Sequence, residues 1–189
     1  VRENLNKIVP IIRKIHDEIP NKLSGQPQIF WVFYVIKYYS NYLLNNNSSH
    51  ISLITSLLKK AEKLEKLSSP REIVFGHNDL LPANFIQGDK QIWLIDWEYA
   101  GFNTPLFDLG GLASNNEFNE NEETYLLEHY FEKKLSAELS EKYRAVKCAS
   151  LLRETMWSMV SEITSKIDFD YKTYTNENLT KFENAMKEI

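Results

Sequence analysis

The residues whose types and spacing can do chemistry lie in Gly76-His77-Asn78-Asp79-Leu80-Leu81-Pro82-Ala83-Asn84 and, further on, in Ile95-Asp96-Trp97-Glu98. The first segment has the spacing His-x-Asp-x-x-x-x-Asn, and the second supplies another carboxylate after an intervening hairpin. This combination fits phosphoryl transfer. One carboxylate receives the proton of an attacking hydroxyl, while an amide and a second carboxylate hold magnesium against the phosphates. Few other chemistries need an Asp and an Asn at opposite ends of one short loop with a further Asp at the end of the next strand. Asp79 is the candidate base. Asn84 and Asp96 are the candidate ligands of magnesium, an ion that takes hard oxygen donors and shares them with nucleotide phosphates. Glu98, two residues on, is either a further metal ligand or an ordinary solvated acid.

Two more residues belong to the loop's support. His77 is expected to be structural, packed beneath the loop and bonded to its backbone, since no other histidine stands at ligand spacing from it. Asp108, near the start of a helix, reads either as a first-turn acid favoured by the helix dipole or as a buried brace for the loop acting through His77. His16, His50 and His129 show no functional pattern.

The elements that must position these groups can be read from periodicity. Leu5, Ile8, Val9, Ile12 and Ile15 recur at helical spacing, with Pro10 expected to kink that helix or delay its start. Residues 21–28 read as a loop, and aromatic-rich 29–45 and apolar-striped 50–67 as the second and third helices. Short apolar runs at Ile73–Phe75, Phe85–Ile86 and Ile92–Ile95, with a turn at Gly88-Asp89, read as strands. Thr104-Pro105 opens a helix over about 106–115. Asn119 and Glu122 form a capping-box pattern for a helix near 120–134. Helices are further expected over about 137–165 and 176–188, separated by a loop at Phe169–Tyr174. The fold class is therefore mainly α with a small β insert. Its expected division is a single lobe over 1–189: helical over 1–70, catalytic loop and β hairpin over 71–100, and helical again over 101–189.

Composition narrows the class. A net charge of −4 gives no support for nucleic-acid partners. The lone Cys148 excludes an intrachain disulfide and a cysteine metal cluster. No apolar run approaches the roughly 20 residues that cross a bilayer. The expectation is a cytoplasmic protein without membrane insertion, its oligomeric state left open. Tyr, Phe and Trp make up 13% of the chain, enough for both a core and a ring-lined pocket.

His77-Asn78-Asp79-Leu80-Leu81-Pro82-Ala83-Asn84-Phe85-Ile86, Leu94-Ile95-Asp96-Trp97-Glu98-Tyr99-Ala100-Gly101 and Phe107-Asp108-Leu109-Gly110 together resemble the choline/ethanolamine kinase family. That family lies within the aminoglycoside-phosphotransferase-like kinases. Arg153-Glu154-Thr155-Met156-Trp157-Ser158 and Ile167–Tyr174 look like its alcohol-binding end. The resemblance implies the C-terminal helical lobe of a protein-kinase-like fold, with Asp79 as base and Asn84 and Asp96 as magnesium ligands. It also implies a pocket for a small amino alcohol lined by Tyr99, Trp157, Phe169 and Tyr174. Aromatic faces suit a quaternary ammonium, which cannot donate a hydrogen bond. Two positions depart from the pattern: Asn115 stands where many members have Glu, and Glu154 where some have Trp. An acidic group has moved between positions of the substrate site, which leaves choline, ethanolamine or another small amino alcohol open.

A kinase of this kind also needs a lobe that covers the nucleotide, and nothing before residue 73 supplies a Gly-rich phosphate loop. The expected partners are thus ATP, the amino alcohol, and an N-terminal lobe of the same protein. Two rival readings stand beside this one. The first is a kinase of thiamine, an aminoglycoside or another hydroxylated cation; the second is a non-catalytic module that binds a ligand or a partner.

Overall fold

Seven α-helices carry most of the residues that the computed structural model describes, 1–68 and 72–189. They are α1 (Leu5–Glu18), α2 (Val32–Asn45), α3 (Ile51–Ser68), α4 (Pro105–Asn115), α5 (Glu120–Phe131), α6 (Ala137–Thr164) and α7 (Tyr171–Met186). Four short strands lie between α3 and α4: β1 (Val74–Gly76), β2 (Phe85–Gln87), β3 (Ile92–Leu94) and β4 (Gly101–Asn103). The architecture is mainly α with a small β insert. The expected division at residues 70 and 71 falls outside the described residues.

Helix α6 is the axis of the molecule. It packs against α7, α4, α3 and α2, so it presents buried residues on nearly every side, among them Ala145, Ala149, Leu152, Met156 and Met159. A helix enclosed by neighbours has no broad polar face, and small residues let those neighbours approach. Gly110 of α4 marks a close crossing. A Cβ there would lie 2.9 Å from the Lys147 Cα of α6. Leu109 and Leu112 of α4, Ile36 and Leu43 of α2, and Leu64 of α3 complete the apolar core.

The β insert is two ribbons rather than one hairpin. β2 and β3 pair antiparallel with Phe85 opposite Leu94, while β1 pairs antiparallel with β4, Val74 opposite Asn103. β4 lies in the span expected to be helical from residue 101. Its sequence, Gly-Phe-Asn, is too short to show alternation, and only its partner β1 makes it a strand. Ile29 also departs from expectation. It bridges Phe102, and the Phe30 N–H donates to the Phe102 carbonyl at 2.9 Å. Residues 29–31 therefore run extended along β4, and α2 begins only at Val32.

Other boundaries follow from local chemistry. Pro10 does not delay α1, which starts at Leu5 and leaves Pro10 exposed. The Asn119–Glu122 capping box is formed, and α5 ends at Phe131 because Glu132 turns left-handed at φ 51°. α7 starts five residues earlier than expected, because the Asp170 side chain accepts the Thr173 N–H at 3.0 Å and caps it. Among the described residues no helix is long and apolar enough to cross a membrane.

Candidate active site

The loop between β1 and β2 is held from below by one carboxylate. Asp108, on the first turn of α4, is 3% exposed. Its Oδ2 accepts the backbone N–H of His77 at 2.8 Å and its Oδ1 that of Asn78 at 2.6 Å. The His16 ring of α1 donates Nε2–H to Oδ2 at 2.9 Å and has the Tyr130 hydroxyl of α5 at 2.7 Å from Nδ1. Burial alone would push the Asp108 carboxyl up. The bond and charge of His16 and the backbone of His77 outweigh it, and the group sits below the usual carboxylate range. Asp108 thus grips the loop through its backbone, not through the His77 ring. Burial holds the Tyr130 phenol well above its usual range, so its hydroxyl keeps its proton.

The His77 ring does separate work. Its Nε2 donates to the Ile95 carbonyl at 2.9 Å, and its Nδ1 faces the Asp79 N–H at 3.3 Å. The geometry places the ring proton on Nε2 and ties the loop to the segment carrying Asp96. Trp97 meets the ring edge-to-face with centroids 4.8 Å apart.

Asn78 adopts φ 64°, a left-handed conformation that Asn tolerates better than most residues. Its amide donates to the carbonyls of Tyr99 at 2.9 Å and Gly101 at 3.1 Å, and its Oδ1 accepts from Asn103 at 3.1 Å. Gly76 is required beside it, since a Cβ there would lie 3.0 Å from Asp108 Oδ2 and 3.1 Å from Asn78 Oδ1.

This frame presents the chemistry-bearing groups. The Asp79 carbonyl accepts Nδ2–H of Asn84 at 2.9 Å, which fixes the distance across the loop and orients the Asn84 amide with its Oδ1 away from that bond. The Ile95 N–H donates to the Asn84 carbonyl at 3.0 Å and so sets Asp96 next to Asn84 in the chain-to-chain sense. Asp96 is exposed and left-handed at φ 63°, a strained backbone of the kind that clusters at functional sites. An amide oxygen and an exposed carboxylate on adjoining segments are donors of the type magnesium takes. Glu98 is exposed in the turn closed by the Ala100 N–H on the Trp97 carbonyl. Burial, with Glu154 and Asp96 adding to it, raises the Asp79 carboxyl, and Arg153 and His77 pull the other way; the net direction is up.

Asp79 opens onto a cavity of about 200 Å³ between the loop, α4, α6 and α7. Asn115, Glu154 and Tyr174 line it as well. Tyr174 donates its hydroxyl to Glu154 Oε1 at 2.8 Å. The other three aromatics stand differently. Tyr99 has the Arg153 guanidinium 4.7 Å from its ring centroid. Trp157 packs edge-on against Tyr171 at 6.1 Å. Phe169, 55% exposed, meets Tyr171 at 4.9 Å and Tyr174 at 5.7 Å. None of these three lines the cavity. Sequence reading missed His16, Asn78, Arg153 and Tyr171. Arg153 carried a signal, standing with Glu154 as a pair of charges between the apolar Leu151-Leu152 and Met156-Trp157 of α6. His16 carried none, since its role depends on packing between α1 and α4.

A mainly helical lobe carrying this loop on short antiparallel ribbons has the architecture of the helical lobe of the protein-kinase-like fold. The family model for choline/ethanolamine kinase matches residues 1–130, and the chain belongs to that family. It is 23% identical over 171 residues to the LicA protein of Haemophilus influenzae, covering 85% of this chain and 62% of that protein. It is 33% identical over 138 residues to ethanolamine kinase 2 of Homo sapiens, covering 60% of this chain and 34% of the human protein. The solved structure of a choline/ethanolamine kinase family protein from Mesorhizobium loti superposes with a TM-score of 0.82 at 24% identity, over 97% of this chain and 62% of that one. The chain thus spans less than two thirds of each of these relatives.

Proposed function

We propose that this chain is the helical, alcohol-binding lobe of a kinase that phosphorylates a small amino alcohol, choline or ethanolamine, with ATP. The observation that carries this reading is the bond from Asn84 Nδ2 to the Asp79 carbonyl. It locks a carboxylate and an amide oxygen at the two ends of one loop, as phosphoryl transfer to a hydroxyl requires. Asp79 accepts no hydrogen bond on its carboxylate from any described residue, so it is available to orient a substrate hydroxyl at the γ-phosphate and take its proton. Asn84 Oδ1 and the Asp96 carboxylate, with Glu98 nearby in the chain, would hold magnesium, which supplies charge neutralisation at the phosphates when bound. The nucleotide site is completed by an N-terminal lobe of the same protein. The cavity lined by Asn115, Glu154 and Tyr174 takes the ammonium end of the alcohol.

The test is Asp79→Asn in the full-length protein. Loss of a general base is worth about 10²–10⁴-fold, so kcat for the amino alcohol should fall by that factor while the urea midpoint stays in place. A folded Asp79→Asn enzyme with wild-type kcat would overturn the assignment. Turnover of an aminoglycoside or thiamine in preference to either amino alcohol would move the substrate class and leave the base assignment standing.

A further inference from the structure

Arg153 has a place in the site that its neighbours' chemistry does not require. Its guanidinium lies 4.7 Å from the Tyr99 centroid and 5.6 Å from that of Phe30. Its Nη1 donates to Glu154 Oε2 at 2.9 Å. The residue is 5% exposed, and its Nε and Nη2 have no hydrogen-bond partner among the described residues. A buried guanidinium with idle N–H groups is a poor device for stability, because a buried ion pair at best balances its desolvation and each unmet donor adds to the cost. An apolar side chain of similar length would pack the same space. Burial opposes the charge, but Glu154, Tyr39 and Asp79 outweigh it and hold Arg153 protonated.

The consequence is for the substrate cation. A quaternary ammonium has no N–H and depends on aromatic faces, yet the face of Tyr99 that Arg153 covers is already occupied by a cation. Besides the cations Arg153 and Lys181 and the Asp79 that faces the hydroxyl, the cavity offers acceptors: Asn115, Glu154, and Ser114, whose buried hydroxyl is without a partner among the described residues. An ammonium that carries N–H bonds can use each of them. A pocket whose buried polar groups expect a donor rejects a ligand that lacks one far more strongly than an apolar pocket rejects a missing methyl.

We infer that Arg153 is the specificity-determining residue of the alcohol site: stacked on Tyr99 and bonded to one oxygen of Glu154, it takes the place of a substrate cation on the ring and leaves a pocket selective for amino alcohols whose ammonium bears N–H bonds. The inference rests on the amino-alcohol kinase reading above. Arg153 acts through Tyr99 and Glu154 and is a positioning residue.

The experiment measures kcat/KM of the full-length protein, with ATP and magnesium, for ethanolamine, its N-methyl and N,N-dimethyl derivatives, and choline. In the wild type the value should fall with each added methyl, to at least about tenfold lower for choline than for ethanolamine, a difference of roughly 1.4 kcal/mol. Arg153→Met should shift the choline-to-ethanolamine ratio toward choline by about tenfold, through the KM for choline, with the KM for ATP unchanged. Arg153→Lys, which keeps the charge without the planar face, should fall between. A wild type that handles choline as well as ethanolamine overturns the inference, as does an Arg153→Met enzyme that loses both activities in equal proportion. Should Arg153→Met not fold, the wild-type methylation series and Arg153→Lys decide. A wild type active on choline alone sinks this inference but leaves the kinase reading intact. A folded full-length protein inactive on the whole series sinks the kinase reading and this inference with it.

Discussion

Asp108 Oδ1 accepts the backbone N–H of Asn78 at 2.6 Å, while the other oxygen of the same carboxylate takes the N–H of His77. One buried side chain thereby fixes two consecutive peptide planes of the loop. Removing one partner of a buried, bonded charge costs about 3–5 kcal/mol, and Asp108→Ala should lose about that much in urea unfolding. The pH dependence has a definite sign. Asp108 is held below the usual carboxylate value in the fold, so its contribution is complete above the unfolded value near pH 4 and is lost as pH falls through the lower folded value. Acid titration of stability should be steeper in the wild type than in Asp108→Asn. Equal acid slopes would show that the carboxylate's charge is not what holds the loop.

A base works only when ionised. Burial, with Glu154 and Asp96 in support, holds the Asp79 carboxyl above its ordinary value against the pull of Arg153 and His77. The acid limb of kcat/KM should therefore lie above about pH 4, the ordinary aspartate value. A pH–rate profile of the full-length enzyme with saturating ATP measures it, and a limb below that value would contradict the burial of Asp79.

Tyr174 and Trp157 should differ. Tyr174 lines the cavity and bonds Glu154, whereas Trp157 packs on Tyr171. Tyr174→Phe removes the bond that orients Glu154 at the cavity and should raise the amino-alcohol KM by about several-fold, as loss of a positioning contact does. Trp157→Ala should raise it less, and neither should move the KM for ATP. A larger effect at Trp157 would place the ammonium on the aromatic cluster instead of at the acceptors.

Gly110→Ala tests the crossing of α4 and α6. The added Cβ would meet Lys147 Cα at 2.9 Å, and overpacking of this kind costs about 1–3 kcal/mol. Thermal unfolding should show the loss. An unchanged midpoint would mean that the two helices separate freely.

The helices were legible because their apolar stripes and caps are local: Asn119 with Glu122, and Pro105 after Thr104, lie within a turn of the ends they mark. What escaped sequence reading depends on partners far along the chain. Ile29 reads as helical by its neighbours and becomes extended because Phe102 offers a strand edge. Gly101-Phe102-Asn103 has no strand pattern of its own and takes one from Val74–Gly76. The start of α7 was readable after all, since Asp170 and Thr173 stand at cap spacing, but the aromatics around them drew the reading toward a loop. At the site, the spacing of Asp79, Asn84 and Asp96 was visible in one dimension. The covering of Tyr99 by Arg153 was not, because a guanidinium and a ring 54 positions apart meet only through the packing of α6 beneath the β4 turn.

The bond between His16 and Asp108 joins residues 92 positions apart. A loop braced this way cannot acquire its shape from its own sequence neighbours; it must wait for the first helix to return and dock. Closure of so long a segment is slow relative to helix formation. The loop's geometry is therefore conditional on α1 reaching α4, a contact that no stretch of local sequence supplies. A clipped chain lacking α1 would keep the local signals of its other helices while losing the buried partner that holds Asp108 against the loop.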